Sequence, residues 1–279
     1  MIDDPIHDPR GRIDYAESGD QRTGPTLVLL PGSCATGAAW RPVMEAWGER
    51  FRCVTTSLLG YGGTAERRTT ADPSIVHEAD VVEAVIRRAG GAGGPVHLIG
   101  HSFGGLVGVA VALRKRVPLA SLSVLEAPAM ELMRESGEDA AHYRAFRDMN
   151  AGYFAAFERG ETGAIASMID FYGGAGTYAA WPARVRAYAE ETTAVNILDW
   201  ASAYAFPLAA AALAEIGVPT LVIWGGASHP AARRANALLG QSIPGATAGA
   251  VDGATHFMIS THPGEVAHLI ADHICGANA

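Results

Sequence analysis

The pentapeptide Gly100-His101-Ser102-Phe103-Gly104 constrains this chain more than any other feature. It lies between an apolar run, residues 96–99, and an apolar helix-forming stretch, residues 106–113. A strand that turns abruptly into a helix forces the residue at the bend into a strained backbone conformation. The positions two before and two after it then have almost no room for side chains, so glycines flank the serine. The serine hydroxyl is pushed above the sheet edge, and the helix that follows aims free backbone N–H groups at any anion forming there. Alone, the pattern is also that of a Gly-rich turn with a solvent-facing serine. The strand before it and the helix after it mark a nucleophile elbow.

Short β-branched runs alternate with longer helical patterns along the chain, the signature of an α/β fold with a mostly parallel, doubly wound sheet. Expected strands are residues 12–16, 26–30, 52–56, 96–100, 121–125, 220–224 and 246–251. Residues 75–88 form a helical pattern through Val81, Val82, Val85 and Ile86, with Ser74 as its expected N-cap. Pro263 opens a last helix whose apolar face holds Val266, Leu269, Ile270 and Ile274. The glycine-rich stretch 90–94 precedes a strand and lacks Lys-Ser/Thr, so it reads as a flexible connector and not as a phosphate loop. Between about residues 129 and 214 the alternation stops, and only helical patterns such as 141–157 and 184–204 remain. More than half of the chain's aromatic residues fall there. Most are expected to pack, and a few to face a cleft that favours an apolar or aromatic ligand. The glycines of residues 171–178 suggest a hinged lid element.

Five segments in order resemble the α/β-hydrolase family over nearly the whole chain. Residues 26–32, Thr-Leu-Val-Leu-Leu-Pro-Gly, are similar to its third strand and oxyanion loop, with Trp40 where the family usually has an aromatic residue. Residues 57–64, Ser-Leu-Leu-Gly-Tyr-Gly-Gly-Thr, resemble its Asp-x-x-Gly-x-Gly-x-Ser loop. The elbow, residues 220–224 and the loop Gly253-Ala254-Thr255-His256-Phe257 complete the set. The resemblance implies a sheet of the α/β-hydrolase type. It also implies a core of residues 1–128 and 215–279, with a helical cap, residues 129–214, inserted after the sixth strand.

Such a site needs a nucleophile, a base, an orienting acid and oxyanion donors. Ser102 is the expected nucleophile. His256 is the expected base among ten histidines, because the family's Ser, acid, His order puts the base in that loop. His229 and His262 read as cap or surface residues, and His97 and His101 have no carboxylate at metal spacing. The backbone N–H groups of Ser33 and Phe103 are the expected oxyanion donors, although the family usually has His-Gly where this chain has Pro31-Gly32. Many members carry an aspartate after the seventh strand. This chain has Ser228 there, which cannot carry the charge. Glu126, ending the sixth strand, lies on the same edge, and some branches, haloalkane dehalogenases included, take their acid from that place. Glu126 is therefore the expected acid, with Asp252 and the cap residue Asp199 as alternatives. Cys34, Trp40, Phe171 and Tyr172 are expected to contact substrate.

What the resemblance implies is a serine hydrolase of esters, lactones or thioesters. The alternatives are a non-hydrolytic or C–C bond-cleaving relative, or a weakly catalytic binder of small ligands, which the missing aspartate makes conceivable. Members that open epoxides or remove halides use an aspartate where this chain has Ser102. No metal or organic cofactor is implied. The net charge of −8 and the lack of long basic runs argue against nucleic acid and anionic membranes as partners. No apolar run reaches membrane-spanning length, and three cysteines at no metal spacing suit a reducing compartment, so a cytoplasmic location is expected. Nothing in the sequence sets an oligomeric state.

Overall fold

The computed structural model describes residues 2–19, 24–91 and 96–277. The stretch 90–94, expected as a connector, lies largely outside them. Eight strands form one sheet: β1 (Ile2–Asp3), β2 (Ala16–Ser18), β3 (Thr26–Leu30), β4 (Arg52–Thr55), β5 (Val96–His101), β6 (Ser121–Leu125), β7 (Thr220–Gly225) and β8 (Thr247–Val251). Their order is β1-β2-β4-β3-β5-β6-β7-β8. The pairings from β4 through β8 are parallel, and the two at the β1–β2 edge are antiparallel. β3 to β6 are buried along their whole length, as expected of parallel strands covered on both faces.

The period of two along each strand sorts side chains into two apolar clusters. Val28, Leu30, Leu98, Val124 and Val222 join the cluster that holds α2 (Val76–Gly90), α3 (Phe103–Arg114) and α10 (Pro230–Ser242). Leu27, Leu29, Ile99, Leu125 and Ile223 face the cluster of α1 (Arg41–Trp47) and α12 (Pro263–Ala277). α2 starts at Val76, and the Ser74 hydroxyl accepts that residue's N–H at 3.3 Å.

The stretch between β6 and β7 holds helices alone. These are a 3-10 turn (Met130–Met133), then α4 (Ala140–Glu158), α5 (Ala166–Gly173), α6 (Thr177–Ala180), α7 (Ala183–Glu191), α8 (Thr193–Ala205) and α9 (Ala210–Leu213). Phe146, Tyr153, Tyr172 and Trp200 from this stretch belong to the same apolar cluster as α2 and α3. The short α11 (Met258–Thr261) completes the fold. Among the described residues no helix is long and apolar enough to cross a membrane.

Two expected elements are broken. The strand expected over residues 12–16 splits into a separate hairpin, Ile6–Asp8 with Gly11–Ile13, and β2. The cause is Asp14. Its N–H donates to the Thr64 hydroxyl and its carbonyl accepts from the Thr56 hydroxyl, so side chains take what a ladder would use. The helix expected over residues 184–204 divides at Thr192. There the Thr192 and Thr193 hydroxyls donate back to the carbonyls of Tyr188 and Ala189, competing with helical N–H groups.

Two histidines on β5 are buried in the neutral form. Burial, then the neighbouring His273, push His97 down to about 4. Burial, then His256, push His101 down to about 3. Both values lie below the unfolded value of about 6.5. The stability these residues contribute is therefore complete above pH 6.5 and is lost as pH falls towards those folded values. Thermal unfolding followed by circular dichroism should show a falling midpoint from pH 6.5 to pH 4, with a shallower slope in His97→Gln. Equal slopes would show that His97 is not the proton acceptor.

Candidate active site

The elbow is built by sterics. Ser102 has φ 54° and ψ −126° between β5 and α3. A Cβ on Gly100 would stand 2.3 Å from the Gly104 carbonyl oxygen, and one on Gly104 2.3 Å from that of Pro31. Neither position admits a side chain unless backbone moves. The Ser102 N–H donates to the carbonyl of Leu125 at 2.8 Å, pinning the bend to the end of β6.

Ser102, His256 and Glu126 form one hydrogen-bonded series. His256 Nε2 lies 2.9 Å from Ser102 Oγ, and His256 Nδ1 lies 2.9 Å from Glu126 Oε1. Glu126 is fully buried and His256 is 4% exposed, so bulk water screens this pair little. The other carboxylate oxygen, Oε2, accepts the Gly225 N–H at 2.8 Å and the Ser228 hydroxyl at 2.7 Å. Ser228, standing where the family's aspartate usually lies, thus solvates the carboxylate that has moved to β6. Glu126 has φ 48°, a conformation rare for a residue with a Cβ. The fully buried Asn236 on α10 fastens the next residue, accepting from the Ala127 N–H and donating to its carbonyl. A polar residue within an otherwise apolar helix face was the available sign of that role. Asp252 is exposed one residue past β8.

His101 lies beneath His256, ring centroids 4.8 Å apart, and its Nε2–H donates to the His256 carbonyl at 2.8 Å. Because His101 is held neutral, it fastens the loop of His256 without placing a positive charge beside that ring.

The series opens into a cavity enclosing ≈ 510 Å³, its mouth included. Met168, Ile169, Trp181, Trp200, Ala203 and Phe257 supply apolar wall, and Ser33, Cys34, Asn196 and Asp199 supply the polar part. Ser33 and Phe103 both border the cavity with Ser102. A Cβ on Gly32 would lie 3.4 Å from Ser102 Oγ and 2.8 Å from its Cβ, so the loop after β3 passes directly against Ser102. Tyr172 lines the cavity with its ring 4.2 Å from that of His256. Cys34 lines it as well, but burial, then Asp199, push its thiol up to about 12, which leaves it no thiolate character.

Two expected substrate contacts are corrected. Trp40 is completely buried in the cluster of α1 and α12, on the face of the sheet away from the helices that cover the cavity. Phe171, beside Tyr172 on α5, does not line the cavity and instead stacks on His229 at 4.0 Å. Adjacent helical residues point about 100° apart, and the turn that aims Met168, Ile169 and Tyr172 at the cavity carries Phe171 away from it. The turn between α5 and α6 is fastened, since the Asp170 carboxylate accepts the N–H groups of Gly176 and Tyr178.

A model of the alpha/beta hydrolase family matches residues 27–269. Epoxide hydrolase 3 of Xenopus tropicalis is 29% identical over 117 residues, 42% of this chain and 31% of that protein. Protein phosphatase methylesterase 1 of Bos taurus is 29% identical over 139 residues, 48% of this chain and 37% of that one. The matched stretches thus span about a third of the length of these relatives. The solved structure of a thermophilic esterase from Thermogutta terrifontis, 21% identical, superposes with a TM-score of 0.73, covering 100% of both chains, which is a likeness of fold. With a family match that runs from β3 into α12 and takes in Ser102, Glu126 and His256, the chain belongs to the alpha/beta hydrolase family.

Proposed function

We propose that the protein is a serine hydrolase of small, largely apolar or aromatic carboxylic esters, lactones or thioesters, working through an acyl-enzyme on Ser102. The observation that carries this reading is the series Ser102 Oγ, His256, Glu126, two contacts of 2.9 Å, opening into a mostly apolar cavity. A serine hydroxyl is a poor nucleophile at neutral pH, and a base already within hydrogen-bond reach removes that obstacle.

In this reading Ser102 Oγ attacks the carbonyl carbon as His256 Nε2 takes its proton. The oxyanion forms beside the Ser33 and Phe103 N–H groups, where preorganised donors act most strongly. Nε2–H then protonates the leaving alcohol or thiol, which departs. A water molecule gives its proton to Nε2 and attacks the acyl carbon, and Nε2–H returns that proton to Ser102 Oγ as the acyl–oxygen bond breaks and the acid leaves. Glu126 Oε1 accepts from Nδ1–H throughout, fixing the tautomer and stabilising the imidazolium. The same nucleophile disfavours epoxides and alkyl halides, because serine attack on a saturated carbon leaves an ether that this machinery cannot hydrolyse. The departure at Ser228 makes a weakly catalytic ligand binder conceivable, and the buried carboxylate on Nδ1 favours the hydrolase reading over it. Three free cysteines suit a cytoplasmic setting.

The test is a panel of p-nitrophenyl esters of increasing acyl length, aryl esters, thioesters and lactones, with Ser102→Ala as blank. Turnover of short apolar or aromatic members that disappears in the blank is expected. No turnover of any member, or turnover that survives in Ser102→Ala, would refute the reading.

A further inference from the structure

Asp199, on α8, is 2% exposed and lines the same cavity without joining the Ser102 series. Its Oδ2 accepts the Ser33 hydroxyl at 2.5 Å and the Tyr61 hydroxyl at 2.6 Å. Its Oδ1 accepts from Arg68 Nη1 at 2.7 Å. Arg68, 4% exposed, is held in turn by Glu66, by the Leu59 carbonyl and by the fully buried Glu78. A buried carboxylate with three donors at these distances is a rigid anchor.

The donors come from two loops at the carboxyl edge of the sheet, and the one after β3 passes against Ser102. Tyr61 and Arg68 follow β4. Ser33 follows Gly32, whose backbone lies against Ser102. The next residue, Cys34, has φ 56°, so the chain bends through a left-handed conformation at this point. A side-chain bond at residue 33 fixes the peptide plane between Gly32 and Ser33, whose N–H is the expected oxyanion donor. We propose that Asp199 is a positioning residue that aims the Ser33 N–H at the forming oxyanion through the Ser33 hydroxyl, so that the hole is complete only when α8 is seated on the loop after β3. The assignment rests on the serine-hydrolase reading.

A carbonyl oxygen gains most of its negative charge only in the transition state. A misaimed donor therefore lowers kcat and leaves KM nearly unchanged. Direct contact of Asp199 with substrate would do the opposite.

The experiment compares wild type, Ser33→Ala, Ser33→Thr, Asp199→Asn and the double variant Ser33→Ala/Asp199→Asn on one good ester, with thermal melts alongside. Ser33→Ala and Asp199→Asn are each expected to lower kcat about ten- to a hundredfold, less than the ~10²–10³ that follows outright loss of a donor. KM should stay within about threefold, and Ser33→Thr, which keeps the hydroxyl, should recover most of the rate. The double variant should fall no further than the slower single one, because both remove a single tether. Ser33→Ala carries the test even where Asp199→Asn melts early. An unchanged kcat in Ser33→Ala, a loss confined to KM, or losses that multiply would overturn the assignment. A wild type that turns over no ester defeats the hydrolase reading and this assignment together. An active wild type with a silent Ser33→Ala defeats the assignment alone.

Discussion

If Glu126 is the orienting acid, as proposed, Glu126→Gln is expected to lower turnover by about three to four orders of magnitude while leaving the fold and KM nearly intact, as removal of that acid does in serine hydrolases. The physical reason lies in the three partners of that side chain. Oε2 faces two donors, the Gly225 N–H and the Ser228 hydroxyl, and Oε1 faces His256 Nδ1. A glutamine will turn its carbonyl oxygen towards the two donors and its NH₂ towards Nδ1. That arrangement forces the proton onto Nε2, where it can no longer accept from Ser102. In the opposite orientation the tautomer survives, but the NH₂ meets the Gly225 N–H donor to donor and the imidazolium loses its counter-charge. Steady-state kinetics checks the prediction, and a rate within tenfold of wild type would remove Glu126 from the account and send attention to Asp252.

Gly104→Ala should cost both stability and activity. Its Cβ would stand 2.3 Å from the Pro31 carbonyl oxygen and 2.9 Å from Leu30 Cβ, at the point where the elbow and the loop after β3 cross. Neither neighbour is the end of a flexible side chain, so backbone must shift. Overpacking of this kind costs ~1–3 kcal/mol and occasionally more. The melting temperature should fall by roughly 5–10 °C. Because the loop that moves carries Ser33, the rate should fall by ~10²-fold or more, as for a misplacement of about 1 Å. A variant with wild-type melting and wild-type turnover would show that the close approach of these two loops is dispensable.

The parts legible in the sequence were those whose cause is local. The glycines around Ser102 are demanded by a single turn, and the strand and helix patterns on either side are visible within twenty residues. Glu126 was legible as a strand end on the correct edge of the sheet, and Ser228 as a departure, although its work as a donor to Glu126 was not. Trp40 was misread because position in a loop does not say which face of the sheet a side chain enters. Phe171 and Tyr172 were grouped because adjacency in sequence hides the turn of the helix between them. Asp199 was underrated for another reason: its partners Ser33 and Arg68 lie 166 and 131 residues away, and no local pattern records a carboxylate satisfied across such separations. The expected elements break at Asp14 and Thr192 in the same manner, through threonine hydroxyls bonded to the backbone, which hydrophobic periodicity does not register.

Whether His256 and Glu126 activate Ser102 is read from the reaction of the purified protein with a fluorophosphonate probe, followed by intact mass and peptide mapping. A single adduct on Ser102 is expected in wild type, none in Ser102→Ala, and labelling slowed sharply in both His256→Ala and Glu126→Gln. No adduct on the wild-type protein, an adduct on another residue, or equal labelling in Glu126→Gln would contradict that activation.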